Sequence, residues 1–340
     1  MAERVRAPAR RTVITGAGLG VGAALLGNVA PPHARAAEPE IWSREYWARK
    51  GEVRLYLFRK RLGAPKSGEA PLPVLFLVHG SSASSRPTFD LDVPGHGPYS
   101  VMDAFARWGF DVWAMDNESY GRSTRTEGNS DIASGVEDLK AGTALVIAET
   151  GQKRLHMFGE SSGALRAGAF AMVEPERVDR LVFSAMTYKG EGSPTLAKRA
   201  EQLAYYQTHN RRPRDRAMLD SIFTRDKPGT SEPAVAKAFA DAELVFGEEV
   251  PTGTYLDMTS KLPVVDPAKV KSPVMLIRGE HDGIASEEDL LDFYAKLPNP
   301  DRQFVVLPGA AHALVFGHNR HQFWHVAHAF LSMLPRRDEH

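Results

Sequence analysis

A serine stands at the centre of the sequence Gly-Glu-Ser-Ser-Gly at 159–163, between a short apolar run at 155–158 and a helix-forming stretch at 164–173. A serine on a sharp turn between a strand and a helix exposes its hydroxyl, and the helix N-terminus directs backbone N–H groups toward a developing oxyanion. The placement of the turn predicts that Ser161 is a catalytic nucleophile, although the five-residue match alone is common by chance.

A serine hydroxyl is a poor nucleophile at neutral pH, so it needs a general base, and the base needs an acid that orients it. After a turn of this kind the partners follow in the order acid, then histidine, each just beyond a strand. Asp282 follows the apolar run 274–277, and His312 follows the run 304–307. We therefore predict Asp282 as the acid and His312 as the base. Glu280 is the rival acid.

The same chemistry needs hydrogen-bond donors where negative charge develops on the attacked carbonyl. One predicted donor is the backbone N–H of Ser162, directly after the nucleophile. The second should come from the loop 79–84, which follows the apolar run 73–78 and reads His-Gly-Ser-Ser-Ala-Ser. Within that loop the N–H of Ser81 is the first choice and that of Ser82 the second.

Strand-like and helix-like patterns alternate along the segments that must hold these residues. The strand-like runs are 53–59, 73–78, 110–115, 155–158, 178–185, 274–277 and 304–307, and the helix-like runs are 101–108, 132–149, 164–173, 290–297 and 321–334. Such alternation predicts a mostly parallel sheet with helices on both faces.

One stretch of about 75 residues, 188–263, breaks this alternation and is too long for a loop inside a compact domain. It has helix-like patterns at 196–207, 216–223 and 235–246 and no convincing buried strand. We predict that it is an inserted helical subdomain that acts as a cap over the site.

Composition limits the classes of partner. Among 340 residues, 43% are hydrophobic, and 42 basic residues balance 42 acidic ones. Binding of nucleic acid or of an anionic membrane would call for clustered basic excess, so we expect a small-molecule substrate. The absence of cysteine excludes a thiol nucleophile and a thiolate metal site. His321 and His325 have a metal-binding spacing, but they lie opposite the apolar face of their helix, so we predict no metal.

The first 37 residues have the order of a secretory signal peptide: a basic stretch ending in twin arginines at 10–11, a glycine-rich apolar run, and a small-residue cleavage site. We expect a signal of the twin-arginine type over 1–37, export through that machinery, cleavage after Ala36, and a periplasmic or secreted location for 38–340. A membrane anchor is disfavoured because glycines weaken the apolar run and the prolines at 31–32 close it.

Taken in order, these motifs resemble the α/β-hydrolase superfamily, in particular its esterase-like members with an inserted helical cap. The resemblance covers the chain from about residue 53 to its end. It implies an α/β fold with an eight-stranded, mostly parallel sheet whose second strand is antiparallel. Where such proteins carry D-x-x-G-x-G-x-S, this chain has Asp-Asn-Glu-Ser-Tyr-Gly-Arg-Ser at 116–123, so Ser119 replaces the first glycine.

The expected activity is hydrolysis of a small carboxylic ester through an acyl-enzyme at Ser161, without a cofactor. Serine at the elbow argues against an epoxide hydrolase or a dehalogenase of this fold, which would carry aspartate there. Amide, carbamate or lactone hydrolysis and perhydrolysis use the same three residues and stay open, because the triad does not encode the substrate. A non-catalytic ligand sensor is the alternative from another class.

Overall fold

The computed structural model of the chain describes residues 40–334. The signal peptide predicted for residues 1–37 lies outside that range. Among the described residues, no helix has both the length and the apolar composition that crossing a bilayer requires.

The described part of the chain contains ten strands, eight of which form one sheet. The ten strands are β1 (Ile41–Lys50), β2 (Val53–Leu62), β3 (Val74–Val78), β4 (Asp111–Met115), β5 (Leu155–Glu160), β6 (Val178–Ser184), β7 (Arg211–Pro213), β8 (Glu249–Pro251), β9 (Val274–Gly279) and β10 (Arg302–Leu307). The order in the main sheet is β1-β2-β4-β3-β5-β6-β9-β10. β2 runs antiparallel to both of its neighbours, and all other pairs are parallel. The predicted α/β-hydrolase fold is thereby confirmed.

Helices cover both faces of the sheet. They are α1 (Ser85–Phe89), α2 (Val101–Arg107), α3 (Ile132–Thr150), α4 (Ser162–Val173), α5 (Pro194–Ala200), α6 (Leu203–Thr208), α7 (Arg216–Ser221), α8 (Pro233–Leu244), α9 (Gly253–Ser260), α10 (Glu287–Lys296) and α11 (Arg320–Leu331). Side chains alternate between the faces of a strand. In β3, Phe76 joins the core with α3, α4 and α10, whereas Leu75 and Leu77 join the core with α1, α2 and α11.

The first strand of the sheet has no counterpart among the sequence predictions. In β1 only Tyr46 and Ala48 are buried, and half of the remaining side chains are both polar and exposed. A strand at the edge of a sheet contacts one neighbour only, so it needs no continuous apolar run. At the other end of the chain, the last helix stops at Leu331 rather than at the predicted Leu334, which is 85% exposed.

The segment between β6 and β9 contains helices α5 to α9 and the antiparallel pair β7–β8. The predicted insertion at 188–263 falls within it. No buried strand was expected there; two three-residue strands pair across the segment, and only Val250 and Pro251 among their residues are buried. The helix predicted over 196–207 is divided between α5 and α6.

The nucleophile turn depends on a close approach of three elements. β5 ends at Glu160 and α4 begins at Ser162, so Ser161 alone connects them, with φ at 55°. A Cβ atom at Gly159 would lie 2.5 Å from the Cα of Ala164, and one at Gly163 would lie 2.1 Å from the carbonyl oxygen of Val78. Only glycine therefore lets α4 begin so close to β3 and β5.

Replacing Gly163 by alanine should lower the free energy of unfolding by about 1–3 kcal/mol or more, because the new methyl group overlaps backbone that cannot rotate away. Gly128→Ala is the matched control, since the nearest atom to a Cβ there is a threonine hydroxyl at 3.4 Å. Urea unfolding of both variants measures the difference. Equal stabilities would show that the turn tolerates a side chain at Gly163.

Candidate active site

The structure brings together the three residues predicted to form the catalytic centre. The Oγ of Ser161 lies 3.0 Å from Nε2 of His312, and Nδ1 of His312 lies 2.9 Å from Oδ1 of Asp282. His312 and Asp282 are both buried, and they come from the turns that follow β10 and β9. The rival acid Glu280 instead accepts the N–H of Gly309.

Three donors hold the carboxylate of Asp282 in place. Its Oδ1 accepts hydrogen bonds from the backbone N–H groups of Ile284 at 2.8 Å and Ala285 at 3.1 Å, besides the one from His312. Burial acts to raise the pKa of Asp282, but the charge of His312 and these hydrogen bonds outweigh it, so the pKa lies below its usual value. An ionised carboxylate only accepts, so the His312 proton sits on Nδ1 and Nε2 presents its lone pair to Ser161.

The loop after β3 lies directly against the nucleophile turn. A Cβ at Gly80 would be 3.3 Å from the Cβ of Ser161, and the Ser81 hydroxyl donates to Oγ of Ser162 at 2.8 Å. Within residues 40–334, the backbone N–H groups of Ser81 and Ser162 donate to no protein acceptor. Ser162 is completely buried, and an unpaired N–H there is costly unless a bound group accepts it.

A neutral histidine supports this loop from within. Nδ1 of His79 donates to the carbonyl of Gly80 at 2.8 Å, and its Nε2 accepts the N–H of Asn117 at 3.0 Å. Burial lowers the pKa of His79 to about 3, so the ring remains neutral at physiological pH. The hydroxyl of Tyr120 donates to the carbonyl of Ser81 at 3.0 Å, which gives this tyrosine a structural contact with the loop.

The inserted segment holds the other side of the loop through a buried ion pair. Arg214 pairs with Glu243 and donates to the carbonyls of Ser82 at 3.1 Å and Gly247 at 2.7 Å. Glu243 accepts from the N–H of Ser84 at 2.9 Å and from its hydroxyl at 2.7 Å. Burial raises the pKa of Glu243 to about 7. No local sequence motif marks Arg214 or Glu243, so the sequence did not predict that this ion pair holds the loop.

A small cavity opens beside Ser161, next to the loop that follows β3. The segment between β6 and β9 contributes part of its wall. The lining side chains that carry charge or large apolar groups are Glu160, Arg199, Ile222, Arg225, Phe239, His312 and Phe316. The sequence analysis identified the serine and the histidine but not the charged groups Glu160, Arg199 and Arg225.

Glu160 is the buried acid next to the nucleophile. Burial raises its pKa to about 7, and the charges of His312 and Arg225 only partly oppose this shift. Near neutral pH, the cavity therefore contains an acid that is part protonated and part ionised.

A second unforeseen acid is Asp226, from the inserted segment. Ligand atoms of Asp226, Asp282 and His312 all lie within 4.8 Å of one another, which is close enough to hold a cation. Because His312 and Asp282 already bond each other, a cation would compete with that hydrogen bond. We assign no metal site to this group.

Replacing Glu243 by leucine should leave Arg214 buried without its partner and lower the free energy of unfolding by about 3–5 kcal/mol. The single variants Glu243→Leu and Arg214→Met should each lose free energy of unfolding. The double variant Arg214→Met/Glu243→Leu should lose less than the sum of those two losses. Asp241→Leu, on the exposed side of the same helix, is the control and should lose much less. Urea unfolding tests all four proteins, and additive losses would contradict a coupled pair.

The raised pKa of Glu160 predicts how the stability of the protein changes with pH. Its carboxyl holds a proton in the folded protein up to about pH 7, while the unfolded chain releases it near the ordinary glutamate pKa of about 4.3. The folded state then binds more protons between these values, so the contribution of this group to stability falls as pH rises through the window. Thermal unfolding should show Glu160→Gln gaining on the wild type from pH 5 to pH 8.

The control for that series is Glu149→Gln, which alters an exposed carboxylate at the end of α3. Its difference from the wild type should stay constant across the same pH range. A constant difference for Glu160→Gln as well would mean that the Glu160 carboxyl ionises alike in the folded and unfolded chains.

Comparison with known proteins gives a match to a family model and a match to a curated relative. The family model described as "Serine aminopeptidase, S33" matches residues 96–319. A 2-hydroxy-6-oxononadienedioate/2-hydroxy-6-oxononatrienedioate hydrolase from Paraburkholderia phymatum is 34% identical over 125 residues, which is 36% of this chain and 38% of that protein. The chain thus matches less than two fifths of that relative's length.

Solved structures share the fold at low identity. A hydrolase from Pseudomonas aeruginosa PA01 superposes with a TM-score of 0.62 at 18% identity, covering 85% of this chain and 99% of that one. The 2-hydroxy-6-oxo-6-phenylhexa-2,4-dienoate hydrolase from Rhodococcus sp. strain RHA1 gives a TM-score of 0.58 at 18% identity, with coverage of 85% and 99%. E-2-(acetamidomethylene)succinate hydrolase gives 0.62 at 17% identity, with coverage of 86% and 100%.

The family model spans about two thirds of the chain and includes Ser161, Asp282 and His312, whereas the solved structures support the fold alone. The chain therefore belongs to the serine aminopeptidase S33 family, within the α/β-hydrolase superfamily.

Proposed function

We propose that this hydrolase cleaves a small carboxylic ester, with Ser161 as nucleophile, His312 as general base and Asp282 as the group that orients the base. The observation that carries the proposal is the unbroken chain of hydrogen bonds from Ser161 through His312 to Asp282 at the wall of a cavity. The order of the three residues along the chain is the one expected for this fold.

In the first half of the reaction, Oγ of Ser161 attacks the carbonyl carbon while its proton passes to Nε2 of His312. The carbonyl oxygen becomes an oxyanion, and the backbone N–H groups of Ser162 and Ser81 stabilise it by donation. His312 then gives its proton to the leaving alcohol oxygen, the C–O bond breaks, and an acyl group remains on Ser161. Asp282 stays ionised and stabilises the imidazolium throughout.

In the second half, a water molecule loses a proton to Nε2 of His312 and attacks the acyl carbon. The oxyanion forms again on the same two N–H groups. When it collapses, the bond to Ser161 breaks, His312 returns the proton to Oγ, and the free acid leaves. The enzyme thus regains its starting protonation state.

The wall contributed by the inserted segment supports its proposed role as a cap that selects the substrate. Its side chains Ile222 and Phe239 provide apolar surface to the cavity, and Arg199 and Arg225 provide charge. Amide, carbamate or lactone bonds suit the same three residues, so the bond class is decided by assay.

A second candidate substrate is an oxo-dienedioate like the one for which the Paraburkholderia relative is named. The observation that favours it is the 34% identity over 125 residues. Incubation of the purified protein with 2-hydroxy-6-oxononadienedioate tests it, with the absorbance of this substrate followed over time. Turnover of this substrate at a higher rate than that of simple esters would favour it over an ester.

Replacing Ser161 by alanine should lower turnover of p-nitrophenyl acetate and butyrate by at least about 10⁴-fold, since the nucleophile is removed. Asp282→Asn should cost about 10⁴-fold in kcat, since the amide favours the wrong tautomer of His312. Ser67→Ala, at an exposed turn, is the control and should keep full activity.

A fluorophosphonate probe separates the enzyme from a non-catalytic ligand sensor of the same fold. The probe should modify Ser161 in the wild type, located by mass spectrometry of the labelled peptide, and should not modify the Ser161→Ala protein. Equal ester turnover by these two proteins, together with absent labelling, would rule out Ser161 as the nucleophile.

A further inference from the structure

Arg199, on α5 of the inserted segment, lines the same cavity as Ser161, and within residues 40–334 no carboxylate forms a salt bridge with it. Its Nη1 is closed off from solvent and has no hydrogen-bond partner within residues 40–334. A buried N–H donor without an acceptor is destabilising, and more so when the group is charged. The cost would be offset if a ligand supplied the acceptor.

The charge around Arg199 leaves this part of the cavity positive. Arg225 also lines the cavity, and its Nε lies 3.4 Å from Oδ1 of Asp226. Burial, followed by repulsion from Arg225, lowers the pKa of Arg199 to about 10, so the guanidinium remains charged at neutral pH. The acid that shares the cavity wall, Glu160, has its pKa raised to about 7 by burial and offsets this charge only in part.

An aromatic ring fixes where the Arg199 guanidinium lies. The Cζ atom of Arg199 lies 5.0 Å from the ring centroid of Tyr255, and Cζ of Arg212 lies 4.7 Å from the same centroid. The hydroxyl of Tyr255 is 2.7 Å from Oγ of Ser82, in the loop beside the nucleophile. Arg199 therefore has a defined position relative to Ser161, as recognition of a planar anion by a guanidinium requires.

We propose that Arg199 binds a free carboxylate of the substrate, so that the ester cleaved at Ser161 belongs to a small molecule with a second, anionic end. A carboxylate matches the fork of N–H donors on a guanidinium. Because Ser161 and Arg199 line the same cavity, the ester and the carboxylate belong to one short molecule. The nature of the scissile bond rests on the proposed function, whereas the anion site rests on Arg199 and its surroundings.

Two pairs of esters test the proposal. Mono-4-nitrophenyl adipate carries its carboxylate on the acyl side and 4-acetoxybenzoate carries it on the alcohol side, and each is compared with the ester in which a primary amide replaces that carboxylate. The wild type should prefer at least one anionic ester over its amide by about 10- to 100-fold in kcat/KM. Arg199→Gln should abolish this preference, so that each anionic ester and its amide have kcat/KM values within about threefold of each other.

The controls separate recognition from folding. Arg199→Lys keeps the charge and should keep part of the preference. Arg212 stacks on the same tyrosine as Arg199 but does not line the cavity. Arg212→Gln should therefore keep the full preference for the anionic ester. An Arg199→Gln protein that retains both the wild-type preference and its thermal stability would overturn the assignment of Arg199.

A binding measurement keeps the anion site testable without turnover. Adipate should raise the unfolding temperature of the Ser161→Ala protein and should not raise that of the Ser161→Ala/Arg199→Gln protein. Stabilisation by adipate without hydrolysis of any ester would support the anion site and contradict the ester assignment. Hydrolysis of the neutral esters, with no stabilisation and no anionic preference, would overturn the carboxylate site and leave the hydrolase assignment standing.

Discussion

The close approach of the loop 79–84 to the nucleophile turn is the constraint on which the rest of the site depends. The turn can reach the loop only because glycines remove side chains from the crossing of β3, β5 and α4. His79 and Tyr120 fix the loop from the sheet side, and Arg214 and Glu243 fix it from the inserted segment. The loop therefore has little freedom to adjust when a substrate binds, which is the preorganisation that oxyanion stabilisation requires.

Buried charge is treated in two different ways on the two sides of the site. Behind the loop, Arg214 has a carboxylate partner and backbone acceptors, so its desolvation is compensated inside the protein. In the cavity, Arg199 has an Nη1 without any acceptor in the described residues. The partners of Arg214 fix the geometry of the loop, whereas the free Nη1 donor of Arg199 favours binding of an anion from solution. The difference separates residues that build the site from residues that select its ligand.

Sequence reasoning located the residues whose signals are local. Ser161, Asp282 and His312 each follow a short apolar strand, and the chain order of such turns fixes which of them can meet. β1 was missed because an edge strand needs few apolar side chains, and only Tyr46 and Ala48 are buried along it. Arg199 and its neighbours in the inserted segment were missed for another reason. Their contacts join positions far apart in the chain, and no periodicity encodes such contacts.

The ring of Tyr255 connects two tasks that are usually considered separately. One face packs with the arginine that reads the ligand, while its hydroxyl bonds the loop that flanks the nucleophile. Any change of this ring that alters which molecules enter the cavity would also disturb the loop that we propose stabilises the oxyanion. The proposed selection of substrate by Arg199 and the proposed oxyanion stabilisation by the loop both depend on the side chain of Tyr255. A redesign of substrate selectivity must therefore start elsewhere on the cavity wall.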